Sequence, residues 1–144
     1  MRQRLAHLAV ALWWGSLTTI GFVAVPLLFA HLPTAAMAGQ MAARLFTAQT
    51  WISVACGAVL LISLKDAAVS SRDDRRRTHL LWVVAGLLLA LLLEYAVAPH
   101  IRARENLRLW HSAGTLMYAL QWLCVLTLLW RLNSRWNALE HPSP

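Results

Sequence analysis

Apolar residues run along the chain in four long stretches, about Leu5–Phe29, Arg44–Leu64, Leu80–Ala98 and Trp110–Trp130, with short polar connections between them. Each is close to the ~20 residues a helix needs to cross ~30 Å of hydrocarbon. None has the polar outer face of a helix in a water-soluble bundle. The pattern predicts an all-α fold: an integral membrane four-helix transmembrane bundle, a single domain over residues 1–144. Arg2 and Arg4 precede the first stretch as in a signal peptide. The apolar run is too long and no small-residue cleavage pattern follows it, so this segment is expected to be retained as a span.

Composition narrows the class further. The chain is 59% hydrophobic and 13% charged, too few charges to clothe a soluble protein of 144 residues. Its net charge of +7 sits in short connections and at helix ends, not on a folded basic surface with a reading motif, so no nucleic-acid partner is expected. Attraction to anionic headgroups and control of topology account for it. With the N-terminus inside, Arg2, Arg4, Lys65, Arg72, Arg75, Arg76, Arg77, Arg131 and Arg135 are inner, against Arg44, Arg102, Arg104 and Arg108 outside. That bias predicts a multi-pass protein of a bacterial inner membrane with both termini cytoplasmic. Cys56 and Cys124 fall within apolar spans and read as buried thiols, with no disulfide framework.

Small and polar residues recur at helical spacing within the spans. Gly86, Ala90, Glu94 and Ala98 form a four-residue stripe that favours close helix packing. Gln49, Ser53 and Cys56 share one face of the second span, and His111, Thr115, Tyr118 and Gln121 share one side of the fourth. Pro26 reads as a structural kink near the outer end of the first span. The connection AHLPTAAMAGQMAA is expected to be an outer loop in which Thr34 caps a short helix. No convincing internal repeat stands out.

Glu94 is the sharpest chemical feature. An isolated carboxylate inside a span faces a desolvation cost of several kcal/mol, so it should pair, take a proton or face a wet cavity. Arg44 and His111 begin spans on the same side and are its expected partners. With Tyr118 and Gln121 they define a candidate outer-side polar site for a headgroup, an anion or the polar edge of a ligand. Arg102, Arg104 and Arg108, at the end of the third span, are candidates for binding lipid headgroups.

His31, His100 and His111 lie on the same side and are the weak candidates for a metal or haem ligand. No HxH, HExxH or CxxCH spacing supports them. No metal or other cofactor is predicted, with haem or copper left open. No catalytic motif is found either: there is no Ser–His–acid spacing, phosphate loop or paired carboxylate.

Trp14–Gly15, Gly21–Phe22, Pro26–Leu27–Leu28–Phe29, Leu32, Ala38–Gly39 and Leu45–Phe46, followed by Glu94, Ala98–Pro99 and His111, carry a resemblance. On them the chain resembles the small membrane proteins related to transmembrane protein 205, a family long catalogued as a domain of unknown function. That resemblance implies four spans and no enzymatic assignment. The function expected is that of a noncatalytic membrane accessory or binding protein. Its outer-side intramembrane polar site would contact membrane lipids, a partner membrane protein or a small amphipathic ligand. A small oligomeric transporter or permease is the first alternative, and a haem- or copper-binding redox protein the second. A homo-oligomer is an open expectation.

Overall fold

The computed structural model describes residues 2–65 and 74–140, with side chains over 3–64 and 77–133. The connection 66–73 and residues 141–144, on which part of the charge count falls, lie outside the described residues. Among the described residues six α-helices appear in order: α1 Arg2–Thr19, α2 Val25–His31, α3 Ala35–Lys65, α4 Asp74–Leu92, α5 Ala98–Arg102 and α6 Leu107–Glu140. A π turn, Ile20–Ala24, joins α1 to α2, and a second, Leu93–Val97, joins α4 to α5. Four continuous rods result, and each is long and apolar enough to cross a membrane. At most a third of each apolar window is buried inside the bundle. Leu8, Phe22, Trp51, Ile62, Leu81, Tyr95, Leu116 and Trp130 face outward. A soluble bundle would put polar residues there, so the chain is a multi-pass membrane protein.

The loops at one end, here the hairpin end, are tight. Leu32 leaves the first rod in an extended conformation (φ −81°, ψ 144°), which Pro33 imposes on the residue before it. Thr34 then starts α3: its Oγ1 accepts the Met37 N–H at 3.2 Å, a side-chain N-cap. The expected long outer loop is therefore only residues 32–34, and Arg44 lies well inside α3 instead of opening it. The alanine-rich stretch 35–43 has high helix propensity, and only Gly39 and Gln40 interrupt its apolar residues, so α3 runs straight through it.

The second loop ends α5 in a Schellman arrangement. The Glu105 N–H bonds the His100 carbonyl and the Arg104 N–H bonds that of Ile101, with Arg104 left-handed at φ 58°. Glycine usually holds that position. Asn106, also at positive φ, offers its carbonyl to the Leu109 and Trp110 N–H groups and opens α6.

The two hairpins repeat one plan. Pro26 and Pro99 each stand two residues beyond a π turn. In each case the residue before the proline donates its N–H five residues back, Val25 to Ile20 and Ala98 to Leu93. The proline has no donor and its ring crowds the preceding turn, which the widened turn accommodates. The three-residue spacing of Phe46 and Gln49 on α3 recurs in Tyr118 and Gln121 on α6. These residues meet: the Phe46 and Tyr118 rings lie 5.3 Å apart, edge to face, and both glutamines reach one hydroxyl, that of Ser53.

The packed core is formed by Val10, Trp13, Leu17, Leu60, Val83, Val125 and Leu128, all fully buried. At its centre Ser53 Oγ accepts from Trp13 Nε1 at 2.9 Å and Gln121 Nε2 at 3.2 Å. Those two fill its lone pairs, so Gln49 Nε2, at 3.4 Å, bonds mainly to Ser16 Oγ at 3.0 Å. Buried side-chain hydrogen bonds of this kind fix which helices meet and in what rotation.

Candidate functional site

The π turn Leu93–Val97 carries Glu94. In an uninterrupted α-helix a residue eight positions later sits about 80° round the axis. One extra residue in the turn makes eight positions act as seven, within about 20° of two full turns. Arg102, the last residue of α5, is thereby returned to the face of Glu94. Its Nη2 donates to Glu94 Oε1 at 2.8 Å and to Thr47 Oγ1 at 3.2 Å. Thr47 comes from α3, and its hydroxyl lies 3.0 and 3.1 Å from the two Glu94 oxygens. The Ala43 carbonyl, also 3.1 Å away, competes for the same proton, and the charged acceptor is the stronger one. Glu94, Thr47 and Arg102, from two rods, thus close a hydrogen-bonded ring.

The Glu94 side chain is 12% exposed and that of Arg102 is 50% exposed. The acid is sunk at the interface between α3 and α4–α5, and the guanidinium spans from it to the surface. Beside this ring Ala43, Arg44, Thr47 and Arg102 line a cleft of about 300 Å³. Arg44 makes no hydrogen bond or ion pair among the described residues. One carboxylate and two guanidinium groups leave the site with a net charge of +1.

Below the ring, a shallow groove of about 60 Å³ runs between α3 and α4, shares Thr47 and Glu94 with it, and is walled by Thr50, Trp51, Val54, Leu91 and Tyr95.

The five residues grouped from the sequence separate in space. Glu94 and Arg44 border the same site without pairing. His111 is exposed, its Nδ1 set against the Leu107 carbonyl at 2.9 Å. Tyr118 donates to the Leu17 carbonyl at 2.8 Å, and Gln121 belongs to the buried centre. Of the three arginines, Arg102 serves Glu94, Arg104 takes the left-handed position two residues past the end of α5, and Arg108 is exposed on α6. The histidines are spread along the hairpin end. His31 Nδ1 faces the Leu27 carbonyl at 3.0 Å. His100 bonds Glu105 at 2.7 Å and stacks on Trp110 with ring centroids 4.0 Å apart. Among the described residues no three His, Cys, Asp or Glu side chains gather as a metal site. Thr47 is the site residue that sequence reasoning passed over. Its signal was its place one turn from Arg44 on the same helix.

A family model described as domain of unknown function DUF4149 matches residues 8–109. The chain belongs to this family. The matched region holds the first rod from Leu8 on, the next two rods to their hairpin ends and the whole site, with Arg44, Thr47, Glu94 and Arg102 inside it. For a member of the DUF4149 family the ring is thus within the shared domain, while Tyr118 and Gln121 lie beyond the match. No curated protein and no solved structure matches the chain.

Proposed function

We propose that this DUF4149 protein is a noncatalytic membrane binding protein whose Arg44–Arg102 cleft takes an anionic group. Arg44 carries the reading: a guanidinium with no hydrogen-bond or ion-pair partner among the described residues, facing a cleft whose other guanidinium is already half committed to Glu94. An entering phosphate or carboxylate would gain charge-assisted hydrogen bonds from both arginines. Glu94 and Thr47 hold Arg102 in place for it. The excess of basic residues at the chain termini and in the connection 65–79 together supports a bacterial inner membrane with both termini cytoplasmic, which puts the hairpin end and this cleft on the outer side. The motif spread over residues 14–46 and 94–111 supports kinship with the proteins related to transmembrane protein 205. A homo-oligomer or a partner membrane protein fits the broad apolar outer faces.

The test is a titration of glycerophosphate into the protein in zwitterionic nanodiscs, read from the arginine side-chain NMR signals. Saturable shifts at Arg44 and Arg102, lost in the Arg44→Gln/Arg102→Gln double variant and kept when Arg104 and Arg108 are neutralised, are expected. Shifts absent from Arg44 and Arg102 would overturn the proposal. Reporter fusions at both termini test the orientation.

A further inference from the structure

Building on that anion site, we infer that its ligand is an anionic glycerophospholipid entering sideways from the surrounding leaflet. Its phosphate would rest in the arginine cleft, with one acyl chain along the groove between α3 and α4. Two observations join the cleft to the groove. Thr47 lines both, and the groove then passes Thr50, Trp51 and Val54, descending α3 by about two turns or ~10 Å from the cleft toward the middle of the bundle. Polar recognition thus sits above and apolar lining below, in the order of headgroup and chain.

The shape selects a lipid over a soluble ligand. The groove of about 60 Å³ is too small to enclose part of a soluble ligand, which would have only the open cleft, whereas sites for soluble ligands bury most of the ligand. It holds one side of a chain whose other side stays in the bilayer. Trp51 and Tyr95, 63% and 67% exposed, flank it as large apolar walls open to lipid. The chain leaves one apolar surrounding for another, so it contributes packing and orientation, not hydrophobic transfer. The net charge of +1 at the cleft favours an anionic over a zwitterionic headgroup, and seating of the chain in the groove is what holds that lipid against exchange with the bilayer.

The experiment uses the full chain in phosphatidylcholine nanodiscs doped with phosphatidylglycerol, with retained lipid counted by native mass spectrometry. Phosphatidylglycerol is expected to be enriched about tenfold over its bulk fraction, and the enrichment is expected to vanish in the Arg44→Gln/Arg102→Gln variant. Val54→Trp fills the groove. It is expected to abolish the enrichment while leaving the glycerophosphate shifts at Arg44 and Arg102 intact. In a second arm, dihexanoyl phosphatidylglycerol is expected to compete far less well than the long-chain lipid. Full enrichment in Val54→Trp, or competition independent of chain length, would overturn the chain-groove inference and leave the anion site standing. Loss of the glycerophosphate shifts in the unmodified protein would remove both.

Discussion

Arg102 Nη2 lies 2.8 Å from Glu94 Oε1, eight residues and a proline away along the same rod. The π turn makes the contact geometrically available, and the two partners are unequally placed. Glu94 is nearly buried while Arg102 is half exposed, so removing one is not equivalent to removing the other. Arg102→Gln leaves a carboxylate in apolar surroundings with Thr47 as its remaining partner. Glu94→Gln leaves an arginine free to turn to solvent or headgroups. The first is expected to destabilise by about 1–2 kcal/mol and the second by less than half of that, discounted for the exposure of the guanidinium. Reversible unfolding in mixed micelles measures both, and equal losses would contradict this asymmetry.

Pro99→Ala tests the π turn itself. The substitution restores a backbone donor and removes the ring that crowds the preceding turn. If the turn relaxes to α-helix, Arg102 swings about 80° from Glu94. The coupling energy of the Glu94→Gln/Arg102→Gln cycle is then expected to fall below about 0.5 kcal/mol in this background, although neither side chain has been altered. Coupling maintained at its original size would show that the widened turn does not depend on the proline.

Gly21 packs against Tyr118. A Cβ placed there would meet the Tyr118 ring at 2.5 Å, and the ring is tethered through its hydroxyl to the Leu17 carbonyl. Gly21→Ala is therefore expected to cost about 1–3 kcal/mol through overpacking. Gly15 and Gly39 face open space at the same test. Their alanine variants are expected to be neutral or stabilising by up to about 1 kcal/mol through helix propensity. A thermal melt series of the three in one membrane mimetic decides it.

Ser53→Ala removes the acceptor shared by Trp13 and Gln121. Two buried donors lose a partner together, and about 1–3 kcal/mol of destabilisation is expected. Ser112, exposed on α6 and bonded among the described residues to the Arg108 carbonyl alone, is the control, with a change within about 0.5 kcal/mol.

Arg104, two residues past the end of α5, holds a left-handed conformation that costs a side-chain-bearing residue about 1 kcal/mol. Arg104→Gly is expected to raise stability by about 0.5–1 kcal/mol. The same variant separates this capping position from the lipid-headgroup role expected of Arg104. Phosphatidylglycerol enrichment unchanged by the substitution would place recognition at Arg44 and Arg102.

The four crossings were legible in the chain because hydropathy accumulates locally: about twenty apolar residues in a row have one low-energy solution in lipid. Gln49, Ser53 and Cys56 were legible as one buried face for the same local reason, the period of the α-helix. The costly position of Glu94 was also legible, since a carboxylate among leucines needs a partner wherever the helix turns.

Which partner it takes was decided only by the tertiary structure. Helical periodicity sets Arg102 a quarter-turn away from Glu94, and the π turn that corrects this arises from the clash and missing donor at Pro99 combined with the packing of α5 on α6. Thr47 reaches the carboxylate because α3 lies against α4, a relation between helices that no spacing within either one encodes. The doubled hairpin was hidden likewise, since its shared π turn before a proline shows only in the backbone. So were the meeting of Phe46 with Tyr118 and the convergence of two glutamines on Ser53. Local energetics fixed how often this chain crosses the bilayer; contacts between distant segments fixed where its charges come to rest.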